Sequence, residues 1–338
     1  MRQLVLCAPF DMKLEQAEKP EAGAGQALLK VRAVGICGSD VHAYRGHQPF
    51  VTYPRILGHE LGCEIAEIAP GEHGFKAGEP VTIEPYIGCG KCYPCSLGRY
   101  NCCANIRVMG VHADGGMRDY FAVDIGRIHR APAGSTFEEL AMVETASVGA
   151  HGVKRARVEA GETVLIIGAG PIGIGAMQYA KAHGARTIVM DIAPASLEMA
   201  LKLGADATID SSASEPVAEV MKLTGGLGAH AVVEAVGLPD TIQLTVELVA
   251  PAGRIAIVGV GDRKVTFPQQ IFNKKEIDYF GVRNSRGLFP EIINLVSRGL
   301  IRMGPLVTHR FSADQGPEAF RFVHENQRQV RKAVLLFS

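Results

Sequence analysis

The pattern of apolar and polar positions changes character once along the chain. Across residues 1–140, short apolar and β-branched runs (QALLKVRAVGI, CEIAEI, EPVTIEP, MRDYFAV) are separated by turn residues, as in GEHGFKAGE. Short strands broken by frequent turns predict a barrel-like all-β domain. From Thr163 the rhythm alternates. TVLIIG reads as a buried strand, Pro171 to about His183 as a helix, RTIVMD as a second strand and PASLEMALKLGA as a second helix. ATIDS, HAVVEAVG and RIAIVGV are further strands, PVAEVMKLTGG and TIQLTVELVA lie between them as helices, and EIDYFGVR is the last strand. That alternation predicts βαβ units around a parallel sheet. The segment FRFVHENQRQVRKAVLLFS ends in one more strand-like run, as expected if the chain returns to its first domain.

Composition narrows the function classes. The 338 residues, 47% of them hydrophobic, suffice for two ordinary domains. Lys+Arg and Asp+Glu both number 35, so there is no basic surplus to attract nucleic acid or an anionic membrane. MRQLVLCAPFDMKLEQ lacks the positive-then-apolar pattern of an export signal, and no apolar run approaches the roughly 20 residues of a membrane span. A cytoplasmic protein with neither nucleic-acid nor membrane partners is expected.

One local motif names a cofactor class. Gly168, Gly170 and Gly173 fit G-x-G-x-x-G directly after a strand and at the start of a helix, with Pro171 and Ile172 inside the motif. Gly168 permits the tight turn, Gly170 lets the backbone approach a pyrophosphate, and Gly173 lets helix and strand pack closely. The helix N-terminus then supplies N–H donors to the phosphates. Asp191 ends the next strand, where its carboxylate accepts from ribose hydroxyls and repels a 2′-phosphate; Ile192, Ala193 and Pro194 follow instead of Arg. NAD is expected.

The eight Cys fall in a chain with no export signal, where clustered thiols bind metal more often than they pair. Cys89, Cys92, Cys95 and Cys103 lie in CGKCYPCSLGRYNCC with spacing C-x2-C-x2-C-x7-C, a set that closes a tetrahedral structural Zn²⁺ site. Cys102 can substitute for Cys103 in that pattern. Cys7 and Cys63 read as small buried residues. A second set sits in CGSDVHAYRGHQPFVTYPRILGHE: Cys37, His59 and Glu60 suit a catalytic zinc with one open position, and Glu144 in MVETASVGAHG is a movable fourth donor. His47, His112 and His151 carry no assigned chemistry.

V-G-I-C-G-S-D-V-H (34–42), L-G-H-E (57–60), the Cys89/Cys92/Cys95/Cys103 lobe, E-T-A-S-V-G-A-H (144–151) and G-A-G-P-I-G (168–173) resemble the zinc-dependent medium-chain dehydrogenases, near the polyol dehydrogenases. The resemblance implies an α/β protein: a GroES-like β-barrel catalytic domain from residues 1–143 and 284–338, and a Rossmann doubly wound parallel sheet from 144–283. It implies two Zn²⁺ per chain, with Cys37, His59 and Glu60 on the catalytic ion and Glu144 near its water, and it favours Cys103 over Cys102. Ser39 and His42 match proton-relay positions, and Asp40 matches a carboxylate that orients the zinc-bound His. It also implies a homo-oligomer, dimer or tetramer.

The expected reaction is hydride transfer from a secondary alcohol of a small polyol or aldonate to NAD. GHQPF…YPRILGHE and VRNSRG (282–287) resemble segments of bacterial hexonate 5-dehydrogenases acting on L-galactonate or L-gulonate. Arg283, with Arg286 nearby, is then the candidate for the substrate carboxylate. An L-threonine 3-dehydrogenase is the rival substrate reading. A catalytically silent zinc- and nucleotide-binding relative is the rival of another class; silent relatives usually lose the catalytic zinc residues, which are all present here.

Overall fold

A computed structural model describes residues 1–69, 71, 73–132 and 134–338, arranged in two units. Met1–Glu144, Phe289–Ser297 and Met303–Ser338 form the first; Thr145–Leu288 and Arg298–Arg302 form the second.

The first unit is organised around the strand Gln26–Ile36. It pairs antiparallel with Glu60–Ile68 along one edge. Along the other edge its first half pairs with Tyr120–Asp124 and its second half with Lys332–Leu336. Register shifts at Leu28/Leu29 and Val31/Ala33 bend the strand, as bulges do, so that a single strand serves three neighbours. The register sets Gly35 opposite Glu60 and Ala333 opposite Ile36, which brings the chain's last strand beside Glu60. Leu4, Leu6, Leu29, Leu61, Ile65, Phe121, Phe320 and Leu335 belong to one buried cluster in this unit. A smaller sheet holds the hairpin Arg2–Ala8/Asp11–Gln16 with Arg55–Ile56.

The pattern along the sequence did not predict that N-terminal hairpin, because MRQLVLCAPFDMKLEQ contains no Gly to mark its turn; Phe10 adopts φ 63 there. Nor did it predict the seven-residue helix Gly38–Tyr44, which is too short to show a period. The 19-residue helix Phe137–Arg155 was missed for another reason. Leu140, Ala141, Met142, Val143, Ala146, Ala150 and Val153 are all buried, so the helix is apolar on several sides and shows no single stripe.

The second unit is a six-stranded sheet in the order Ala207–Asp210, Arg186–Asp191, Thr163–Ile167, Ala229–Glu234, Val249–Ile257, Asp278–Gly281, every pair parallel. Successive strands step outward from Thr163–Ile167 in one direction and then resume on its other side. The order therefore reverses between Thr163–Ile167 and Ala229–Glu234, the switch point at which such sheets bind ligands beyond their strands' carboxyl ends. Leu165, Ile188, Val232 and Ile255 are buried in its core. Among the described residues, no helix is long and apolar enough to cross a membrane.

Candidate metal and dinucleotide sites

In the first unit, Cys37, His59 and Glu60 each offer a ligand atom, and these atoms all lie within 4.8 Å of one another. Cys37 caps the helix Gly38–Tyr44: its N–H donates to Asp40 Oδ2 at 2.9 Å, which fixes the thiol at the helix entrance. His59 and Glu60 sit where the chain enters the strand Glu60–Ile68, and both are buried. Glycine at 35 makes room for Glu60, since a Cβ there would lie 2.0 Å from Glu60 Oε2.

A half-buried thiol converging with a buried imidazole and a buried carboxylate fits zinc. The buried atoms around them fit it too. His59 Nδ1 and Asp40 Oδ1 are 3.6 Å apart, both buried and without a hydrogen bond among the described residues, which is the pairing that orients a metal-bound imidazole once it tightens. Burial opposes protonation of His59, but the charges of Asp40 and Cys37 and a hydrogen bond to Cys37 outweigh it and push its pKa well up. Metal therefore competes with a proton for this ring.

Sequence reasoning missed one member of the cluster. The Lys332 ammonium lies 2.7 Å from both Glu60 oxygens and is only 5% exposed. Burial lowers its pKa, but Glu60, then Cys37 and Glu144, raise it further, so it is held charged. The visible signal was a lysine heading the apolar run KAVLL; its partner becomes apparent only through the strand register. Glu144 accepts a hydrogen bond from the Tyr86 hydroxyl and lies outside the three-residue set. Burial raises its pKa against the opposing charge of His59, and Glu60 adds to the rise.

The four thiols Cys89, Cys92, Cys95 and Cys103 also lie within 4.8 Å of one another, and Cys102 is not among them. Backbone N–H groups of Cys89 and Asn105 point at Cys103 Sγ, at 3.2 and 3.3 Å. Hydrogen bonds from the backbone of Lys91 and Cys92 pull the Cys89 thiol down to about 6. Burial pushes Cys95 up to about 11. A lobe of this kind fits a zinc ion with all four positions filled.

In the second unit, Gly168 turns at φ 98 between the strand Thr163–Ile167 and the helix Pro171–Ala182. A Cβ at Gly173 would lie 1.8 Å from Gly168 O, whereas one at Gly170 would meet nothing within 4 Å. The first glycine position is closed by packing and the other is open to an approaching phosphate. Asp191 accepts from Ala169 N at 2.6 Å and from Ala193 N at 2.8 Å, so its carboxylate is anchored against the glycine turn. Ser39 and His42 share the helix Gly38–Tyr44, His42 exposed. Arg283 is exposed just after the strand Asp278–Gly281; Arg286 is half-buried and follows Ser285, which is buried and bonded to Ser147.

The alcohol dehydrogenase GroES-like domain matches residues 23–133, and the zinc-binding dehydrogenase domain matches residues 171–298. The chain belongs to the zinc-type medium-chain dehydrogenases. It is 36% identical to the L-galactonate-5-dehydrogenase of Escherichia coli K12 over 338 residues, covering 100% of this chain and 99% of that one. It is 33% identical to the sorbitol dehydrogenase of Bacillus subtilis 168 over 94% of the chain and 92% of the relative. The L-threonine 3-dehydrogenase of Pyrococcus horikoshii is also 33% identical, over 93% and 92%. Among solved structures, the RspB alcohol dehydrogenase of Escherichia coli CFT073 with NADH superposes with a TM-score of 0.92 at 33% identity, covering 100% and 99%. A zinc-binding dehydrogenase of Sinorhizobium meliloti 1021 bound to NADP gives 0.92 at 29%, covering 99% of each. The protein is thus an oxidoreductase of the zinc-containing alcohol and polyol dehydrogenase family, built from a GroES-like domain and a Rossmann domain.

Proposed function

We propose that this dehydrogenase oxidises a secondary alcohol of a sugar acid or polyol, of the L-gulonate or L-galactonate type, with NAD⁺, as a cytoplasmic homo-oligomer. The observation that carries the reading is the convergence of half-buried Cys37 with buried His59 and Glu60 in a chain that also holds the Gly168–Gly173 turn. Cys37, His59 and Glu60 hold the catalytic zinc with Glu144 close by, and Cys89, Cys92, Cys95 and Cys103 hold a structural one. When bound, the catalytic zinc makes a substrate hydroxyl more acidic and the nicotinamide accepts the hydride.

The chain's own residues handle the rest. Ser39 and His42, three apart on one helix, lie on the same face. Ser39 accepts the hydroxyl proton while handing its own on through water to His42, which is exposed and passes a proton to solvent. Asp40 orients His59, and Lys332 holds Glu60. The anchored Asp191 carboxylate repels a 2′-phosphate and so selects NAD over NADP. Arg283 pairs with a substrate carboxylate, a reading supported by the similarity to the L-galactonate enzyme. The strand Asp278–Gly281 ends the sheet with one edge open, a feature that supports pairing with another copy.

The similarity to L-threonine 3-dehydrogenase favours a second reading. One assay separates the two: aldonates, polyols and L-threonine are screened with NAD⁺ and NADP⁺ by NADH absorbance. The proposal expects aldonate oxidation with NAD⁺ and, for Arg283→Ala, a KM raised about tenfold or more for aldonates but not for uncharged polyols. Activity on L-threonine alone overturns it, and equal effects on both substrate classes remove Arg283 from the site.

A further inference from the structure

Glu234 is fully buried at the carboxyl end of the strand Ala229–Glu234, immediately beside the switch point of the sheet. An acid in that position is costly unless it organises its surroundings. Its Oε1 accepts three hydrogen bonds, from Val236 N and Gly237 N at 2.9 Å and from Thr241 Oγ1 at 2.8 Å. Its main-chain oxygen accepts two more, from Val258 N at 2.8 Å and Gly259 N at 3.0 Å. The side-chain bonds organise the loop after its own strand, while the main-chain oxygen holds the start of the loop after Val249–Ile257; the carboxylate meets that second loop by packing against Gly259. The junction is close-packed. A Cβ at Gly259 would lie 2.6 Å from Glu234 Oε2 and 2.1 Å from Gly237 N, and one at Gly261 would lie 2.4 Å from Gly237 O. Oε2 is buried and has no hydrogen-bond partner among the described residues.

Both loops lie where a doubly wound sheet receives the second half of a dinucleotide. They also border the glycine turn: Ala235 N donates to Ile167 O at 2.9 Å, and a Cβ at Gly168 would lie 2.7 Å from Val236 Cγ2. The same loops expose Val236, Leu238 and Val260, the last 92% exposed. Apolar side chains left in water beyond the carboxyl ends of a parallel sheet suit an apolar or aromatic ligand face.

We propose that Glu234 is a positioning residue for the nicotinamide half of the cofactor, holding these two loops in register so that Val236, Leu238 and Val260 present one surface to it. This rests on the dinucleotide reading of the glycine turn. The test is fluorescence titration of the purified enzyme with NADH, with AMP as the probe of the other half. Wild type should bind both; if it binds neither, the dinucleotide reading fails first. Glu234→Ala should weaken NADH about tenfold or more while AMP stays within about twofold, the tenfold being the loss of about one buried hydrogen-bond set. Glu234→Gln, which keeps an acceptor at Oε1, should recover NADH binding to within about threefold. Gly259→Ala, whose Cβ would crowd both Gly237 N and Glu234 Oε2 from the other loop, should likewise weaken NADH more than AMP. Unchanged NADH affinity, or an equal loss for NADH and AMP, makes Glu234 merely structural. Gln failing as badly as Ala overturns the acceptor role.

Discussion

Replacing Lys332 with Met removes the cation that faces Glu60 and leaves a carboxylate that is 1% exposed beside two further buried acids, Asp40 and Glu144. The ammonium sits 2.7 Å from both Glu60 oxygens. At an effective dielectric constant of about 20 the Coulomb attraction at that distance is about 6 kcal/mol, part of which is cancelled by the desolvation of both charges. Breaking such a pair by deleting one partner costs about 3–5 kcal/mol, against a total stability of about 5–15 kcal/mol. Zinc changes the sum, because a divalent cation at Cys37, His59 and Glu60 offsets the carboxylate in place of lysine. Urea unfolding followed by circular dichroism, on chelator-treated and on zinc-loaded protein, should therefore show the larger loss in the zinc-free form. Adding Glu60→Gln to Lys332→Met should restore most of the zinc-free loss, since no uncompensated charge is then buried. A zinc-free loss under about 1 kcal/mol, or a double variant no better than the single one, would refute the reasoning.

Two further outcomes follow from the same geometry. Cys102→Ser should leave the zinc content of the four-thiol lobe unchanged, whereas Cys103→Ser should release that ion and destabilise the lobe, as read by a chromogenic zinc assay; equal effects would contradict the sorting of the two neighbours. Because folding raises the pKa of Glu144, the folded zinc-free protein holds that proton more tightly than the unfolded chain, and stability falls as pH climbs from the usual glutamate range through the raised value. Glu144→Gln cannot titrate, so its stability relative to wild type should improve as pH rises above the usual glutamate range; a pH-independent difference would contradict the raised pKa.

The two clusters of metal-ligating residue types and the glycine turn were legible in the sequence because the residue types announce the chemistry. Thiolates at fixed spacing and glycine at the first strand–helix turn have few other uses. The alternating strands of the second unit were legible for a similar reason: buried parallel strands read as continuous apolar runs such as TVLII and RTIVMD. Lys332 and Glu234 were not, because each acts through partners that only tertiary register supplies. Lys332 meets Glu60 across 272 residues of chain. Glu234 stands at the end of an apolar strand, where a lone carboxylate reads as an ordinary boundary. The choice between Cys102 and Cys103 likewise depends on which thiol turns inward, which the spacing leaves open.

Metal analysis of purified wild type and Cys37→Ser, each assayed for alcohol oxidation with NAD⁺, decides whether Cys37, His59 and Glu60 hold a catalytic metal. Wild type should carry about two zinc atoms per chain, and Cys37→Ser about one, with activity gone and the four-thiol lobe still loaded. A Cys37→Ser protein that keeps both ions and still oxidises substrate would contradict that assignment.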